Sequence, residues 1–334
     1  MFLRALNLLT DTIHTLPILI LMPHSRCNCR CVMCDIWKAN NEKKELTTEE
    51  IERQLPSFEK LKVREVVLSG GEALMHNNLF VLCRLLRKRK IKVTLLSTGL
   101  LLRKFANEIV EDVNEVIVSL DGSGDVHNKI RNIPEAFEKL TDGVRAIREL
   151  KSDFRITGRC VLQRYNYFDL PNIIVSARVI GLDQISFLPA DVSTSAFNHQ
   201  GSLRNSDIAL TSEEARDLKK LIEDCVVKFE GEFLSKFIAE SPGKMRKIAG
   251  YYRALLGEEK FEAPPCNAPW VSAVLESDGR LMPCFFHKEY GNIYDGDFES
   301  ILNSKSAIGF RKNLDVKKNE VCEKCVCSLK LGVV

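Results

Sequence analysis

The strongest constraint in the chain is a run of three cysteines, Cys27, Cys31 and Cys34, at the spacing Cys-x3-Cys-x2-Cys. They follow the apolar run Pro17-Ile18-Leu19-Ile20-Leu21-Met22, which reads as a buried strand. Three thiolates on one short loop can take three corners of a cubane iron–sulfur cluster, which leaves one iron open to a substrate or cofactor. Structural zinc sites instead close with four ligands, usually as two Cys-x2-Cys type pairs. The triplet spacing therefore favours a cluster. Cys29 interrupts the triplet and is expected to point away from the loop's interior as a free or packed thiol.

At 334 residues the chain is long enough for a barrel-sized core and a second small unit. A formal charge of +3 is too small to argue for nucleic acid. Most of the twelve cysteines cluster in metal-ligand spacings at both ends of a mid-sized chain, a pattern that points to a reducing cytoplasm and not to a disulfide framework. Asp11 and His14 interrupt the apolar N-terminal stretch, and no small-residue cleavage site follows. An amphipathic helix over residues 1–13, covering one end of the barrel, is expected in place of a signal peptide. No run reaches the roughly eighteen uninterrupted apolar residues of a membrane span.

After the cysteine loop, Thr47-Thr48-Glu49-Glu50 gives a capping box ahead of an amphipathic helix bearing Ile51, Leu55 and Phe58. Strands are predicted over Val63–Leu68, Val93–Ser97, Glu115–Leu120, Arg155–Leu162 and Gln184–Leu188. Helices are predicted over Leu79–Lys90, Leu101–Val110, Pro134–Leu150 and Phe168–Ile180. Strands alternating with helices of this length mean right-handed parallel units, so the fold class is α/β, a partial (β/α)6 TIM barrel. The chemistry of such barrels lies at the carboxyl ends of the strands.

Those ends carry Ser69-Gly70-Gly71-Glu72, Leu96-Ser97-Thr98-Gly99 and Ser119-Leu120-Asp121-Gly122. Paired glycines let backbone approach a ligand closely, and hydroxyls and carboxylates suit amines and ribose. Taken with the cysteine triplet, these motifs resemble the radical S-adenosylmethionine (radical SAM) superfamily. The resemblance implies that the open iron is chelated by S-adenosylmethionine, with Gly70, Gly71 and Glu72 near the methionyl amine. It further implies that Ser119 and Asp121 lie near the ribose, with Ser97 also at the nucleoside, and that Met33 and Ile36 lie near the adenine. Met33 departs from the aromatic residue often found before the third cluster cysteine. Strand alternation puts Arg159 on one face with Thr157, Val161 and Gln163; facing the barrel interior it would need an anion such as the carboxylate of the nucleoside or of the substrate, and the alternative is a strand-end arginine that snorkels to solvent, while Leu188 offers an apolar contact to adenine.

Cys266 and Cys284 flank the hairpin expected at Ser277-Asp278-Gly279-Arg280, and Cys322, Cys325 and Cys327 stand together near the C-terminus. Four such ligands suit zinc and a [4Fe–4S] cluster equally on counting alone. The stretch resembles a twitch domain, the shortened SPASM form. That resemblance implies one auxiliary cluster held by Cys266, Cys284, Cys322 and Cys325, in a small C-terminal domain of a β-hairpin plus helix. Cys327 remains an alternative to Cys325. The domain organisation expected is a barrel core over 1–190, a helical connection over 191–260 and the auxiliary-cluster domain over 261–334. Residues 191–206 read as polar and irregular, followed by helices starting at Thr211 and over Met245–Leu256. The basic residues Lys244, Arg246, Lys247 and Arg253 read as a solvated helix face.

The implied function is reductive cleavage of S-adenosylmethionine, fed by an electron donor such as flavodoxin or ferredoxin. The resulting 5′-deoxyadenosyl radical takes a hydrogen atom from a small-molecule substrate, and the second [4Fe–4S] cluster accepts an electron to complete an oxidation. Similar twitch-bearing proteins include an inosamine dehydrogenase of aminoglycoside biosynthesis. An epimerase using a cysteine such as Cys160 or Cys327, a peptide-modifying maturase and a zinc-stabilised binding protein are the alternatives. Neither nucleic acid nor a membrane is an expected partner.

Overall fold

The computed structural model describes residues 2–41, 44–194, 196 and 205–332. Six parallel strands, β1 (Ile18–Leu21), β2 (Glu65–Leu68), β3 (Lys92–Ser97), β4 (Glu115–Ser119), β5 (Ile156–Leu162) and β6 (Gln184–Pro189), pair in chain order as a partial barrel. The helices are α1 (Phe2–Thr10), α2 (Thr48–Lys60), α3 (Leu79–Lys88), α4 (Ala106–Asp112), α5 (Gly124–Arg131), α6 (Ala136–Leu150) and α7 (Leu170–Ile180). The capping box before α2 is present in full. Glu50 N–H donates to Thr47 Oγ1 at 3.2 Å and Thr47 N–H donates to the Glu50 carboxylate at 2.7 Å. The helix predicted from Leu101 starts later, at Ala106, because Gly99 at φ +92° turns the chain first.

Strand alternation sorts the side chains. Val66, Val93, Leu95, Val116 and Val118 are fully buried toward the helices. Ser119, Arg159, Val161, Ser186 and Leu188 are half-buried on the opposite, interior face. A polar layer closes the amino end of that interior: Lys92 Nζ lies 3.2 Å from Glu65 and 2.9 Å from Glu115. The carboxyl end carries the loops that matter for function.

The sheet does not stop at β1. β7 (Ser272–Leu275) pairs parallel with β1, and β8 (Arg280–Met282) and β9 (Gly291–Asn292) extend it antiparallel to nine strands. The predicted hairpin is there, turning at Gly279 with φ +84°, but its first strand is a barrel neighbour. The C-terminal segment also grips the N-terminus. Trp270 Nε1–H donates to Asp11 at 2.8 Å, Asn7 donates to the Trp270 carbonyl at 2.7 Å, and Phe298 meets Phe58 edge to face at 5.0 Å.

Beyond β6 come α8 (Asn205–Ile208), α9 (Ser212–Lys228), α10 (Glu230–Leu234) and α11 (Pro242–Leu255). Most of the stretch expected to be irregular, 195 and 197–204, lies outside the described residues. Tyr252 ties α11 to the barrel mouth: its hydroxyl donates to the Leu162 carbonyl at 2.5 Å and accepts the Ala190 N–H at 2.9 Å. Among the described residues, no helix is long and apolar enough to cross a membrane.

Candidate functional site

The cysteine loop leaves the carboxyl end of β1 and is held from two sides. On one side Arg30 N–H and Val32 N–H donate to the carbonyls of Arg131 and Ile130 at the end of α5, at 3.2 and 3.0 Å. On the other, a Cβ on Gly71 would sit 1.9 Å from the Arg26 carbonyl oxygen, and one on Gly70 would sit 2.6 Å from that of His24. The paired glycines thus bring the β2 turn against the cysteine loop, which a side chain would prevent.

Six cysteines share one local feature, an N–H close to the sulfur, and a seventh, Cys322, stands beside a histidine ring nitrogen. Cys27 accepts from Cys29 N–H at 3.4 Å, and Cys266 from Ala268 N–H at 3.4 Å. The backbone N–H groups of Ile36, Phe286 and Cys327 favour the thiolates of Cys34, Cys284 and Cys325. In each case the donor lies two residues on. Cys31 accepts from Arg131 Nη1 at 3.4 Å, and Cys322 Sγ stands 3.3 Å from His287 Nε2. Burial pushes the Cys34 thiol up to about 12 and the Cys284 thiol up to about 11. A positive centre is what would hold such buried sulfurs as thiolates, and metal does this outright. The residues therefore fit iron–sulfur ligation. Cys266, Cys284, Cys322, Cys325 and Cys327 line one small pocket of about 30 Å³. Among the described residues no group of His, Cys, Asp or Glu converges as tightly as a single metal ion needs; a cubane distributes its protein ligands over separate irons.

Cys29 corrects an expectation. Its side chain turns into the loop, is buried, and hydrogen-bonds with both Cys27 and Cys31; the bond with Cys27 leads in pushing its thiol up to about 12. The loop curls so tightly that Cys29 N–H reaches the Cys27 sulfur, which carries its own side chain inward.

The strand-end residues are placed less simply than their motifs suggest. Glu72 is fully buried; its carboxylate accepts Ser97 Oγ at 3.0 Å, Thr98 N–H at 2.6 Å and Leu74 N–H at 3.2 Å. Burial pushes its carboxyl up. Glu72 and Ser97 thus staple the ends of β2 and β3 to each other. Ser119 stays half-buried on the interior face. Asp121 departs from a ribose contact: it is fully buried, 2.5 Å from Arg131 Nη2, and accepts Val161 N–H at 2.8 Å. Met33 and Ile36 pack into separate apolar clusters, Met33 beside Ala190 and Val192, Ile36 beside Met22, Val274 and Phe285.

Two residues at the site, His127 and Arg131, escape motif reading. His127 Nδ1 accepts the Asp121 N–H at 3.1 Å, and Arg131 joins Asp121 to Cys31. The available signal is Asp121 itself, since a carboxylate placed inside a barrel requires a cation within reach.

Arg159 and Leu188 line a cavity of about 390 Å³ between the ends of β5 and β6, helix α11 and the C-terminal cysteine loop. Tyr251, Phe261, Cys325 and Cys327 form part of its wall. Cys325 and Cys327 also border the auxiliary cysteine pocket.

The chain matches the radical SAM superfamily over residues 21–174 and the SPASM iron-sulfur cluster-binding domain over residues 266–326. It is 24% identical over 288 residues to the antilisterial bacteriocin subtilosin biosynthesis protein AlbA of Bacillus subtilis, covering 84% of this chain and 58% of that protein. It is 32% identical over 171 residues to a GTP 3′,8-cyclase of Rhizobium etli, covering 47% of each. The chain thus spans only about half the length of these curated relatives. The structure of Streptococcus suis SuiB bound to precursor peptide SuiA superposes with a TM-score of 0.68 at 14% identity, over 97% of this chain and 74% of that one, a likeness of fold. The two domains imply [4Fe–4S] clusters and S-adenosylmethionine as cofactors. With the cysteine loop at the head of the parallel sheet and the second set of cysteines folded against it, this chain carries a radical SAM domain followed by a SPASM/twitch iron–sulfur domain.

Proposed function

We propose that the chain is a radical SAM oxidoreductase acting on a small molecule held in the cavity between the barrel mouth and the auxiliary cysteines. Cys27, Cys31 and Cys34 would hold the first cluster, and Cys266, Cys284, Cys322 and Cys325 the second. Gly70 and Gly71 would present backbone to the methionyl group, with Ser119 at the ribose. When bound, these cofactors supply a 5′-deoxyadenosyl radical and a one-electron acceptor. The observation that carries the reading is that one cavity wall runs from Arg159 and Leu188 to Cys325, so that a molecule inside it touches both the barrel mouth and the auxiliary loop. The chain's part is to orient the substrate there and exclude water, with Tyr251 and Phe261 as apolar wall.

Anaerobic loading followed by turnover with a reductant tests the reading. It expects 5′-deoxyadenosine from the native chain, none from Cys31→Ala, and cleavage without product from Cys266→Ala. A loaded chain that releases no 5′-deoxyadenosine sinks the proposal. The electron donor is proposed to be a flavodoxin or ferredoxin, and the compartment the cytoplasm, on the strength of cysteines set in metal-ligand spacings.

Peptide modification is the second reading, favoured by the similarity over 84% of the chain to a bacteriocin biosynthesis protein. Deuterium transfer into 5′-deoxyadenosine from labelled small alcohols against labelled peptides separates the two.

A further inference from the structure

We infer that the substrate carries an anionic group, a carboxylate in the simplest case, and that Arg159 is the residue that receives it. This rests on the cavity reading above and adds the substrate's chemical class to it.

Arg159 stands on the interior face of β5, in register with Ser119 of β4 and Ser186 of β6. It is half-buried, and its guanidinium has no hydrogen bond or ion pair among the described residues. Every cationic side chain that α11 contributes to the cavity is already matched. Lys244 lies 3.5 Å from Glu240, Arg246 lies 2.7 Å from Glu223, and Lys247 lies 2.9 Å from Glu262. Lys260 lies on the exposed rim, and the acids Glu259 and Glu323 also line the wall, Glu259 held by Arg253 at 2.5 Å. Among the described residues no acid forms an ion pair with Arg159, Glu323 included.

An arginine set on a strand inside a barrel, beside a helix α11 whose own cations are paired, is costly to desolvate without an anion. Its planar fork presents two parallel N–H donors matched to a carboxylate, which a lysine would not. The cavity is large enough for a molecule with more than one functional group. Docking one end on Arg159 would fix which hydrogen faces the barrel interior, so this is a specificity-determining residue and not a group that reacts. The competing reading gives Arg159 to the carboxylate of S-adenosylmethionine, and the test must tell these apart.

The full-length, cluster-loaded protein with S-adenosylmethionine bound is titrated with fluorobenzoate and, separately, with neutral fluorobenzamide, both read by fluorine NMR line broadening. The inference expects benzoate to bind and benzamide to bind about tenfold more weakly, with the preference lost in Arg159→Gln and partly restored in Arg159→Lys. Lys260→Gln should retain it. Benzoate binding that is equal in the native chain and Arg159→Gln overturns the inference, as does benzamide binding as well as benzoate. A third result overturns it too: Arg159→Gln weakening S-adenosylmethionine while benzoate binding persists. None of these readouts needs turnover, so a failure of the proposed reaction, seen as absent 5′-deoxyadenosine in the native chain, stays distinct from a failure here.

Discussion

Arg131 Nη1 lies 3.4 Å from Cys31 Sγ while Nη2 of the same guanidinium lies 2.5 Å from Asp121. One buried cation therefore joins the cysteine loop to the end of β4, and its own backbone carbonyl accepts Arg30 N–H from that loop. Removing it as Arg131→Met leaves Asp121 buried and unpaired, at a cost of about 3–5 kcal/mol. The double variant Asp121→Asn/Arg131→Met removes the orphaned charge and should recover a large part of that loss in urea unfolding midpoints. In loaded protein, losing an N–H and a positive charge beside a ligand sulfur should move the first cluster's potential negative. An unchanged potential by EPR-monitored titration would show that Arg131 only supports the fold.

Gly71 gives a sharper structural test. A methyl group there would meet the Arg26 carbonyl oxygen at 1.9 Å and the Ser25 carbonyl oxygen at 2.7 Å, both backbone. Gly71→Ala must push the cysteine loop off the β2 turn, so iron at the first site should fall while the auxiliary site keeps its own, leaving about half of the roughly eight irons of two cubanes. Gly231→Ala, in α10 with nothing within 4 Å of the new methyl, should be neutral or more stable by up to about 1 kcal/mol. Full iron in Gly71→Ala would contradict the packing role of the paired glycines.

His24 links stability to pH. Burial, with Arg26 and His76 close by, pushes its imidazole down from 6.5 to about 4, and its Nδ1 accepts Arg26 N–H at 3.0 Å, which requires an unprotonated nitrogen. The unfolded chain takes up this proton near 6.5 and the folded chain only near 4. Between those values the unfolded state binds more protons, so stability is full above 6.5 and is lost as the pH falls toward 4. The loss is on the order of 1–2 kcal/mol once solvent screening is allowed for. His24→Asn keeps an acceptor for the Arg26 N–H without titrating, and its melting temperature should fall less than that of the native chain over this window. Parallel curves for the two proteins would assign the acid lability elsewhere.

The strands and most of the helices were legible because their signals are local: apolar runs of strand length, and Thr-x-x-Glu boxes whose reciprocal bonds form as written at Thr47 and Thr211. Helix α5 was not, since Gly124–Arg131 has no apolar stripe long enough to announce it. With it went Arg131, whose role depends on a contact 100 residues away in sequence. The joining of β7 to β1 is equally invisible, because Ser272–Leu275 reads as half of a hairpin whichever sheet it enters. Asp121 shows the limit of motif reading. Its position at a strand end was plain, but whether its carboxylate faces a ligand or an internal cation is decided by α5, which the motif does not contain.

Cys325 and Cys327 make the last choice at the auxiliary site. Both border the small cysteine pocket and the larger cavity, so position alone does not separate them. Their backbone does. The backbone N–H of Cys327 favours the Cys325 thiolate, as those of Ile36 and Phe286 favour Cys34 and Cys284 and as the N–H groups bonded to Cys27 and Cys266 do there. Cys327 itself is exposed. A sulfur that accepts a backbone N–H is stabilised as a thiolate and oriented for a metal. Cys325→Ala should therefore lower iron from about eight to about four per chain, matching Cys266→Ala, while Cys327→Ala should keep about eight. Iron and sulfide analysis of the anaerobically loaded variants reads this directly, and the reverse order would move the fourth ligand to Cys327.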